Sequence, residues 1–292
     1  MRPLYREFTT QAEIDAQYNA SMSVADATAE LRHYVERART AVDTLPSVLD
    51  VPFGPTRAET LDIFPAASSP APVFIYLHGG YWRALSSREF SGIALGLHPL
   101  GITTVVVNYA LCPRVSLDEV TRQARASVAW VLRRIGDHGG DPTRVAVGGH
   151  SAGAHLAAMC LETAWADDYG LPVDPLAGAV LVSGVYDIEP LRYSYLQPAI
   201  QLDDGLIRRN SPMFHVRPCA TPVRVTWGSD ETSEFVRQAA DFHAAWQAGG
   251  NASELAPQPD ANHFTAIHGF EDPASDVCQW LAHVVCSGSS SR

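Results

Sequence analysis

The chain alternates short apolar runs with helix-like stretches, and this alternation restricts the fold more than any other feature. Each run is rich in valine or isoleucine and is bounded by Gly, Pro or Asp. The runs are Val73–Leu77, Thr103–Tyr109, Val145–Gly148, Ala179–Ser183 and Val223–Trp227. Continuous apolar runs are typical of strands covered on both faces, and strand–helix–strand order requires crossover connections. The sequence therefore predicts an α/β fold, with a mostly parallel central sheet flanked by helices.

Apolar residues at helical spacing predict the helices between and after these runs. The stretches are Leu117–Ile135, Ala152–Ala166, Phe235–Gln247 and Ala274–Val285. Two regions break the alternation: residues 1–50, which are largely helical in character, and residues 187–222, which are rich in proline and contain no clean strand. We expect both to form a small cap on a single catalytic domain spanning residues 1–286. Residues 287–292 are expected to be a disordered tail.

The composition excludes several classes of protein. Hydrophobic residues make up 46% of the 292 residues, enough for a large core, and the net charge of −11 disfavours binding to nucleic acid or anionic membranes. The first residues contain no secretory signal, and no apolar run is long enough to span a bilayer. The five cysteines include no C-x-x-C pair. Reduced thiols in a cytoplasmic protein without a metal site are therefore expected.

A pentapeptide with the G-x-S-x-G pattern, Gly149-His150-Ser151-Ala152-Gly153, follows one of the predicted strands and precedes a predicted helix. A strand that turns sharply into a helix can hold a serine in a strained, exposed conformation, and small residues on either side keep that turn free of clashes. Ser151 is therefore the predicted nucleophile. The alternative is a structural serine in a glycine-rich turn. His150 is expected to be structural or to lie against the substrate.

A second glycine motif, His78-Gly79-Gly80-Tyr81-Trp82, follows the strand Val73–Leu77. Hydrolysis at a carbonyl passes through an oxyanion that fixed N–H donors stabilise, and glycines let the backbone approach it closely. We predict an oxyanion hole made by the amides of Gly79, Gly80 and Ala152. Tyr81 and Trp82 are expected to contact the substrate.

A serine nucleophile needs a base and an orienting acid, which follow it in the order acid, then histidine, in this architecture. After the strand Val223–Trp227, the turn geometry favours Glu231 as the acid, with Asp230 as the alternative. His263 lies in a loop before the last helix and is the predicted base, with His268 as the alternative. His243 and His283 lie in helical patterns, where surface or packing roles are expected.

Together these motifs resemble the kynurenine formamidase (arylformamidase-like) branch of the esterase and lipase group of α/β-hydrolases. The similarity covers nearly the whole chain. It is carried by Gln17-Tyr18-Asn19, Leu61-Asp62-Ile63-Phe64-Pro65, HGGYW from His78, GHSAG from Gly149, SGVYDIEP from Ser183, Asn210-Ser211-Pro212 and Glu234-Phe235. The family often has aspartate at the acid position. Counting back from Glu234-Phe235 places Glu231 there.

The resemblance implies a serine hydrolase without a cofactor, acting on small aryl formamides and aryl or short-acyl esters. With N-formylkynurenine the products would be formate and kynurenine. Tyr193, Tyr195 and Phe214 in the cap would either stack on an aryl ring or pack within the cap. The expected partner is a small-molecule ester or formamide substrate, with no nucleic acid and no membrane, and a homodimer is left open.

Three other functions remain open from the sequence. The same residues would serve a general carboxylesterase or a hydrolase of secondary metabolism. A non-catalytic ligand receptor on this fold is less favoured, because such proteins typically lose a member of the triad and no member is missing here.

Overall fold

The structure, a computed structural model, describes residues 3–287 and is built on an eight-stranded sheet. The strands lie in the order β1-β2-β4-β3-β5-β6-β7-β8. β1 and β2 run antiparallel to their neighbours, and the pairs from β4 to β8 are parallel. The strands are β1 Val48–Pro52, β2 Thr60–Phe64, β3 Ala71–Leu77, β4 Thr103–Val107, β5 Gly140–His150, β6 Gly178–Val182, β7 Val223–Gly228 and β8 Ser253–Gln258.

Helices cover both faces of this sheet, which confirms the predicted α/β fold. The α-helices are α1 Gln11–Tyr18, α2 Ala27–Thr44, α3 Ala94–Leu97, α4 Leu117–Arg134, α5 Ala152–Leu161, α6 Trp165–Tyr169, α7 Gln197–Ile200, α8 Asp204–Arg209, α9 Ser233–Ala248 and α10 Asp276–Ser287. Short 3₁₀ segments are Ala20–Met22, Ser87–Glu89, Ser91–Ile93, His98–Leu100, Ile135–His138, Glu189–Tyr193, Pro212–Phe214 and Thr265–Glu271. The stretch predicted as one helix over Ala152–Ala166 forms α5 and α6, separated by a break after Leu161.

The side chains of β3 show how the sheet divides the core in two. Val73, Ile75 and Leu77 belong to one buried cluster, which includes residues of α4, α5 and α9. Phe74 and Tyr76 belong to the other, which includes residues of α2 and α10. Successive side chains of a strand point to opposite faces, so a run that is apolar throughout serves both clusters.

The first two strands were not predicted, because the sequence analysis placed the first strand at Val73. β1 is an edge strand whose residues are exposed or half-buried, so it lacks a continuous apolar run. β2 contains Asp62, whose carboxylate accepts a hydrogen bond from the Asp50 amide at 2.9 Å. β1 also corrects the predicted helical segment 1–50, since its first residues already belong to the sheet.

The N-terminal helices and the 187–222 region are fastened to the carboxyl end of the sheet by buried tyrosines. Tyr18 donates from its hydroxyl to Glu234 at 2.7 Å, and Tyr34 donates to the carbonyl of Phe264 at 2.6 Å. Tyr5 donates to Asp187 at 2.6 Å. These bonds hold the N-terminal residues beside the ends of the strands that carry the predicted site.

Two further predictions concern the C-terminal tail and membrane-spanning helices. Residues 288–292 of the predicted tail lie outside the described residues, and Ser287 is the last residue of α10. Over residues 3–287, no helix combines the length and the apolar composition needed to cross a bilayer.

Candidate active site

Ser151 occupies the turn between β5 and α5. Its backbone has φ 56° and ψ −118°, a region that residues other than glycine rarely adopt. Its amide donates to the carbonyl of Val182 at 2.8 Å, which ties the turn to the neighbouring strand β6. Strain of this kind persists only where the surroundings impose it, and it commonly marks functional positions. The turn holds the Ser151 hydroxyl at the wall of a cavity.

The glycines of the motif are required by close backbone contacts around this turn. A Cβ added at Gly153 would lie 1.9 Å from the carbonyl oxygen of Leu77, and one added at Gly149 would lie 2.5 Å from the same atom. The end of β3 therefore packs directly against both sides of the serine turn. A backbone atom cannot move aside as a flexible side chain could, so neither position accepts a larger residue.

We expect Gly153→Ala to lower the free energy of unfolding by about 3 kcal/mol or more, because overpacking against the Leu77 carbonyl forces helix α5 away from the end of β3. Urea denaturation followed by circular dichroism would measure the change. Gly136→Ala is the matched control, because a Cβ at Gly136 would meet no atom within 4 Å. Its stability should be unchanged or raised by up to about 1 kcal/mol. Equal stability of the two variants would contradict the packing argument.

The structure brings Glu231 and His263 together in a buried hydrogen bond. The Nδ1 atom of His263 lies 2.7 Å from Oε2 of Glu231. The other carboxylate oxygen accepts bonds from the amide of Gly228, at 2.8 Å, and from the hydroxyl of Ser183. These donors fix the carboxylate, and the carboxylate in turn fixes the plane and tautomer of the imidazole, with the proton on Nδ1.

The other candidates for the acid and the base take no part in the hydrogen bond between Glu231 and His263. Asp230 is exposed and accepts a bond from the Ser229 hydroxyl at 3.2 Å. The ring of His268 packs on His33, with centroids 4.1 Å apart. His243 bonds to the hydroxyl of Ser253 at 2.8 Å.

Ser151 and His263 line the same cavity, although no hydrogen bond joins their side chains. Catalytic hydrogen bonds of this type are often long before substrate binds and tighten in the reacting complex. The His263 ring is held in place from two sides, because it packs on Phe235 and on His150 at centroid distances of 4.5 and 4.6 Å. The geometry therefore presents the free Nε2 side of the ring to the space around Ser151.

The predicted oxyanion loop lies against the serine turn. Within residues 3–287, the amides of Gly79, Gly80 and Ala152 have no protein acceptor. Gly80 has φ +110°, and a Cβ there would lie 2.2 Å from the carbonyl oxygen of Ala84, so only glycine fits. Gly79 and Gly80 line the cavity with Ser151, and Ala152 is the first residue of α5. These amides are available to bind an oxyanion on the substrate.

His78 fixes the conformation of this loop. Burial lowers the pKa of His78 to about 4, so the ring is neutral near pH 7. Its Nδ1–H donates to the carbonyl of Gly79 at 2.7 Å, and the ring stacks on Tyr109 at 4.1 Å. The Tyr109 hydroxyl donates to the His78 carbonyl at 2.6 Å. The sequence analysis gave His78 no role of its own.

The three residues expected to contact substrate separate into two groups. Tyr81 and His150 line the cavity, whereas Trp82 does not. Trp82 is fully buried, and its indole N–H donates to the Ala152 carbonyl at 3.2 Å. The physical reason is that Tyr81 and Trp82 both have positive φ, 47° and 54°, which turns the Trp82 side chain into the core. Its place is therefore beneath the serine helix, packed edge-on against His155.

His150 supports the loop that carries the predicted base, His263. Burial, and then the nearby His263, lower the pKa of His150 well below its usual value, so the ring stays neutral. Its Nε2–H donates to the main-chain carbonyl of His263 at 2.7 Å. This bond fixes the loop that carries His263, while one face of the His150 ring borders the cavity.

The cavity around Ser151 has a volume of about 180 Å³, and Phe and Tyr side chains form part of its walls. Tyr195 is the residue of the 187–222 region that reaches it, whereas Tyr193 and Phe214 do not line it. Sequence reasoning missed Tyr34, Phe90, Phe264 and Arg83, which also line the cavity. No local pattern could have identified Tyr34, because its position depends on how α2 packs on the sheet.

One cluster outside this cavity has residues of the type that bind metals. Ligand atoms of His33, His268 and Glu271 all lie within 4.8 Å of one another. The Glu271 carboxylate, however, already forms an ion pair with the guanidinium of Arg37 at 2.7 Å. That positive charge opposes a bound cation, so the cluster is explained by an ion pair and a histidine stack.

Comparison with known proteins gives three kinds of similarity. The family described as alpha/beta hydrolase fold matches residues 74–226. Kynurenine formamidases of Danio rerio and Salmo salar are each 33% identical, covering 89% and 86% of this chain and 91% and 85% of their own. Esterase LipQ of Mycobacterium tuberculosis is 29% identical, covering 73% of this chain and 56% of its own.

Solved structures share the same fold. A Silicibacter protein superposes with a TM-score of 0.81 at 24% identity, covering 94% of this chain and 99% of its own. Esterase LipW of Mycobacterium marinum superposes with a TM-score of 0.69 at 22% identity, covering 90% of this chain and 88% of its own. At these identities the likeness concerns the fold alone.

Proposed function

The chain belongs to the alpha/beta hydrolase family, and on this premise we propose that it is a serine hydrolase that cleaves small aryl formamides or esters through an acyl-enzyme. The observation that carries the proposal is the position of Ser151. Its strained turn places it in one cavity with His263, and His263 is hydrogen-bonded to the buried carboxylate of Glu231.

In the first half of the reaction, His263 takes the proton of the Ser151 hydroxyl as the serine oxygen attacks the substrate carbonyl. The carbonyl oxygen becomes an oxyanion, which the amides of Gly79, Gly80 and Ala152 stabilise. The imidazolium then returns the proton to the departing amine or alcohol as its bond to the carbonyl carbon breaks. An acyl group remains on the Ser151 oxygen.

In the second half, His263 removes a proton from water, which attacks the acyl-enzyme and forms a second oxyanion. Collapse of this intermediate releases the acid and returns the proton to Ser151. Glu231 orients the His263 ring and stabilises the imidazolium, and its own oxygens are held by bonds from Gly228 and Ser183.

We propose an aryl formamide, N-formylkynurenine, as the preferred substrate, with formate and kynurenine as products. Similarity to kynurenine formamidases over most of both chains supports this choice. The cavity also supports it, because the rings of Tyr34, Phe90 and Phe264 in its walls suit an aryl group. The formyl group is the smallest acyl group that this site could bind.

A direct comparison of substrates tests the proposal. We expect kcat/KM for N-formylkynurenine to exceed that for its N-acetyl analogue by about 10-fold or more, since one added methyl in a tight pocket is worth about 1–3 kcal/mol. Absorbance of the released kynurenine would measure both rates. p-Nitrophenyl acetate, assayed in parallel, shows whether the serine is reactive.

The second candidate is a general carboxylesterase, which the similarity to esterase LipQ favours. Fast cleavage of p-nitrophenyl acetate with negligible cleavage of formamides would select it. A hydrolase of secondary metabolism acting on another formamide or methyl ester would instead cleave neither substrate well, yet would be labelled by a fluorophosphonate. Absence of labelling as well would favour a ligand receptor.

We also propose a cytoplasmic location. Free thiols support it, since Cys112, Cys160, Cys219 and Cys278 form no disulfide. The formation of a homodimer stays a prediction.

A further inference from the structure

Among the described residues that line the cavity around Ser151, Arg83 is the one with a permanent charge. It follows directly after the HGGYW motif and is exposed. Within the described residues no carboxylate pairs with it, whereas other arginines of the chain do form ion pairs, such as Arg88 with Asp50 and Arg237 with Glu234. A guanidinium without a carboxylate partner among the described residues is therefore held at the wall of the cavity.

The position of this guanidinium is fixed by an aromatic ring. Its Cζ atom lies 5.6 Å from the centroid of Tyr195, within range of a cation–π interaction. Tyr195 is itself anchored, because its amide donates to the Asp15 carboxylate at 2.7 Å. Burial raises the pKa of the Tyr195 phenol and the charge of Arg83 lowers it, so the phenol remains neutral and does not act as a counter-ion.

Arg83 also faces a second and larger space. Arg83 and Leu85 line both the cavity around Ser151 and an adjacent cavity of about 590 Å³. Arg114, which forms no ion pair with a described residue, lines the adjacent cavity too. The Glu119 carboxylate in that wall is already bound to Arg122 at 2.8 Å. The boundary between the two spaces is thus positively charged, although the chain as a whole carries −11.

The chemistry of an arginine without a carboxylate partner indicates what it binds. A guanidinium offers a planar fork of N–H donors that matches a carboxylate, and such charge-assisted bonds are among the stronger ones in proteins. A formyl group is only a carbonyl with a hydrogen, so it cannot carry a second functional group. A carboxylate on a formamide substrate must therefore lie on the half that leaves as the amine.

We propose that Arg83 is a specificity-determining residue that binds a carboxylate on the leaving half of the substrate. The proposal rests on the proposed function and deepens it. The substrate class becomes aryl formamides or esters whose amine or alcohol half carries a carboxylate, as an amino acid does. The carboxylate would sit where the two cavities meet, with the scissile carbonyl at Ser151.

The test measures a ratio of kcat/KM values within matched pairs of substrates. One pair is N-formylkynurenine and N-formylkynuramine, which lacks only the carboxylate. The other is 4-acetoxybenzoate and phenyl acetate. In each pair that it cleaves, we expect the wild-type enzyme to have the higher kcat/KM for the substrate with the carboxylate. The ratio is kcat/KM with the carboxylate divided by kcat/KM without it. Arg83→Gln should lower this ratio by about 10- to 100-fold, mainly through KM, because a charge-assisted bond is lost.

Two further variants separate recognition of charge from structural damage. Arg83→Lys keeps the charge without the planar fork and should recover part of the ratio. Arg88→Gln, which removes a nearby surface arginine paired with Asp50, should leave the ratio at the wild-type value. Equal losses on both members of a pair in Arg83→Gln, or a ratio that does not change, would overturn the proposal.

The ester pair tests the role of Arg83 independently of the proposed formamidase activity. If the enzyme cleaves only esters, the preference for formamides is wrong, yet the ester ratio still tests Arg83. If it cleaves formamides but shows no preference for the carboxylate, the proposal for Arg83 is wrong while the formamidase activity stands.

Discussion

Replacing Ser151 by alanine is expected to lower kcat by about 10⁴- to 10⁶-fold, the range for loss of a serine nucleophile that acts together with its base. The hydroxyl oxygen is the atom that would form the acyl bond, and no other hydroxyl occupies its place in the turn. The measurement is hydrolysis of N-formylkynurenine and p-nitrophenyl acetate at saturating substrate. Labelling by a fluorophosphonate should disappear at the same time.

The fold of this variant should be unaffected, because the side chain makes no hydrogen bond that alanine would break and the strain of the turn resides in the backbone. An unchanged urea midpoint would show this. Ser68→Ala, at an exposed position, is the matched control and should retain full activity and labelling. Substantial turnover by a folded Ser151→Ala protein would exclude Ser151 as the nucleophile.

The second large effect is expected for Glu231→Gln, which should lower kcat by about 10³- to 10⁴-fold. The amide is almost the same size as the carboxylate but carries no charge, so it cannot stabilise the imidazolium of His263. An amide that turns its NH₂ group towards the ring also favours the wrong tautomer. The loss should fall on kcat for both formamide and ester substrates, since the change acts on the base rather than on binding.

Asp230→Asn is the matched control for this experiment. Asp230 is adjacent in sequence and was the alternative acid, but its carboxylate is exposed and does not contact His263. We expect its kcat to stay within about twofold of the wild type, in line with the small effects of exposed polar substitutions. A large loss in Asp230→Asn together with a small loss in Glu231→Gln would reverse the assignment of the acid.

The inner parallel strands, β3 to β7, were predictable because they are covered on both faces, whereas the parallel edge strand β8 is largely exposed. That coverage selects continuous apolar runs such as Val73–Leu77, which are visible without any partner. β1 and β2 were not predictable by the same rule. Both lie on the antiparallel edge of the sheet, where one strand is largely exposed and the other carries Asp62.

The two aromatic residues of the HGGYW motif, Tyr81 and Trp82, could not be distinguished from the motif alone. Position in the HGGYW motif placed Tyr81 and Trp82 together, and the sequence offered no means to separate them. The positive φ of both residues turns one ring towards the cavity and the other into the core beneath α5. Backbone conformation in a loop depends on what packs around it, so it was not evident from the residue types.

The sequence by itself determined the fold class and the candidates for the chemistry. A strand, a tight turn and a helix around Ser151 are local features, encoded by neighbouring residues and by the glycines that the turn requires. The tertiary structure decided between Glu231 and Asp230 as the acid that meets His263. It alone decided which aromatic rings line the cavity and that Arg83 lies in its wall without a carboxylate partner among the described residues. These features join segments far apart in the chain, such as α2, the HGGYW loop and Tyr195. Their contacts arise from packing on the sheet, which no local pattern records.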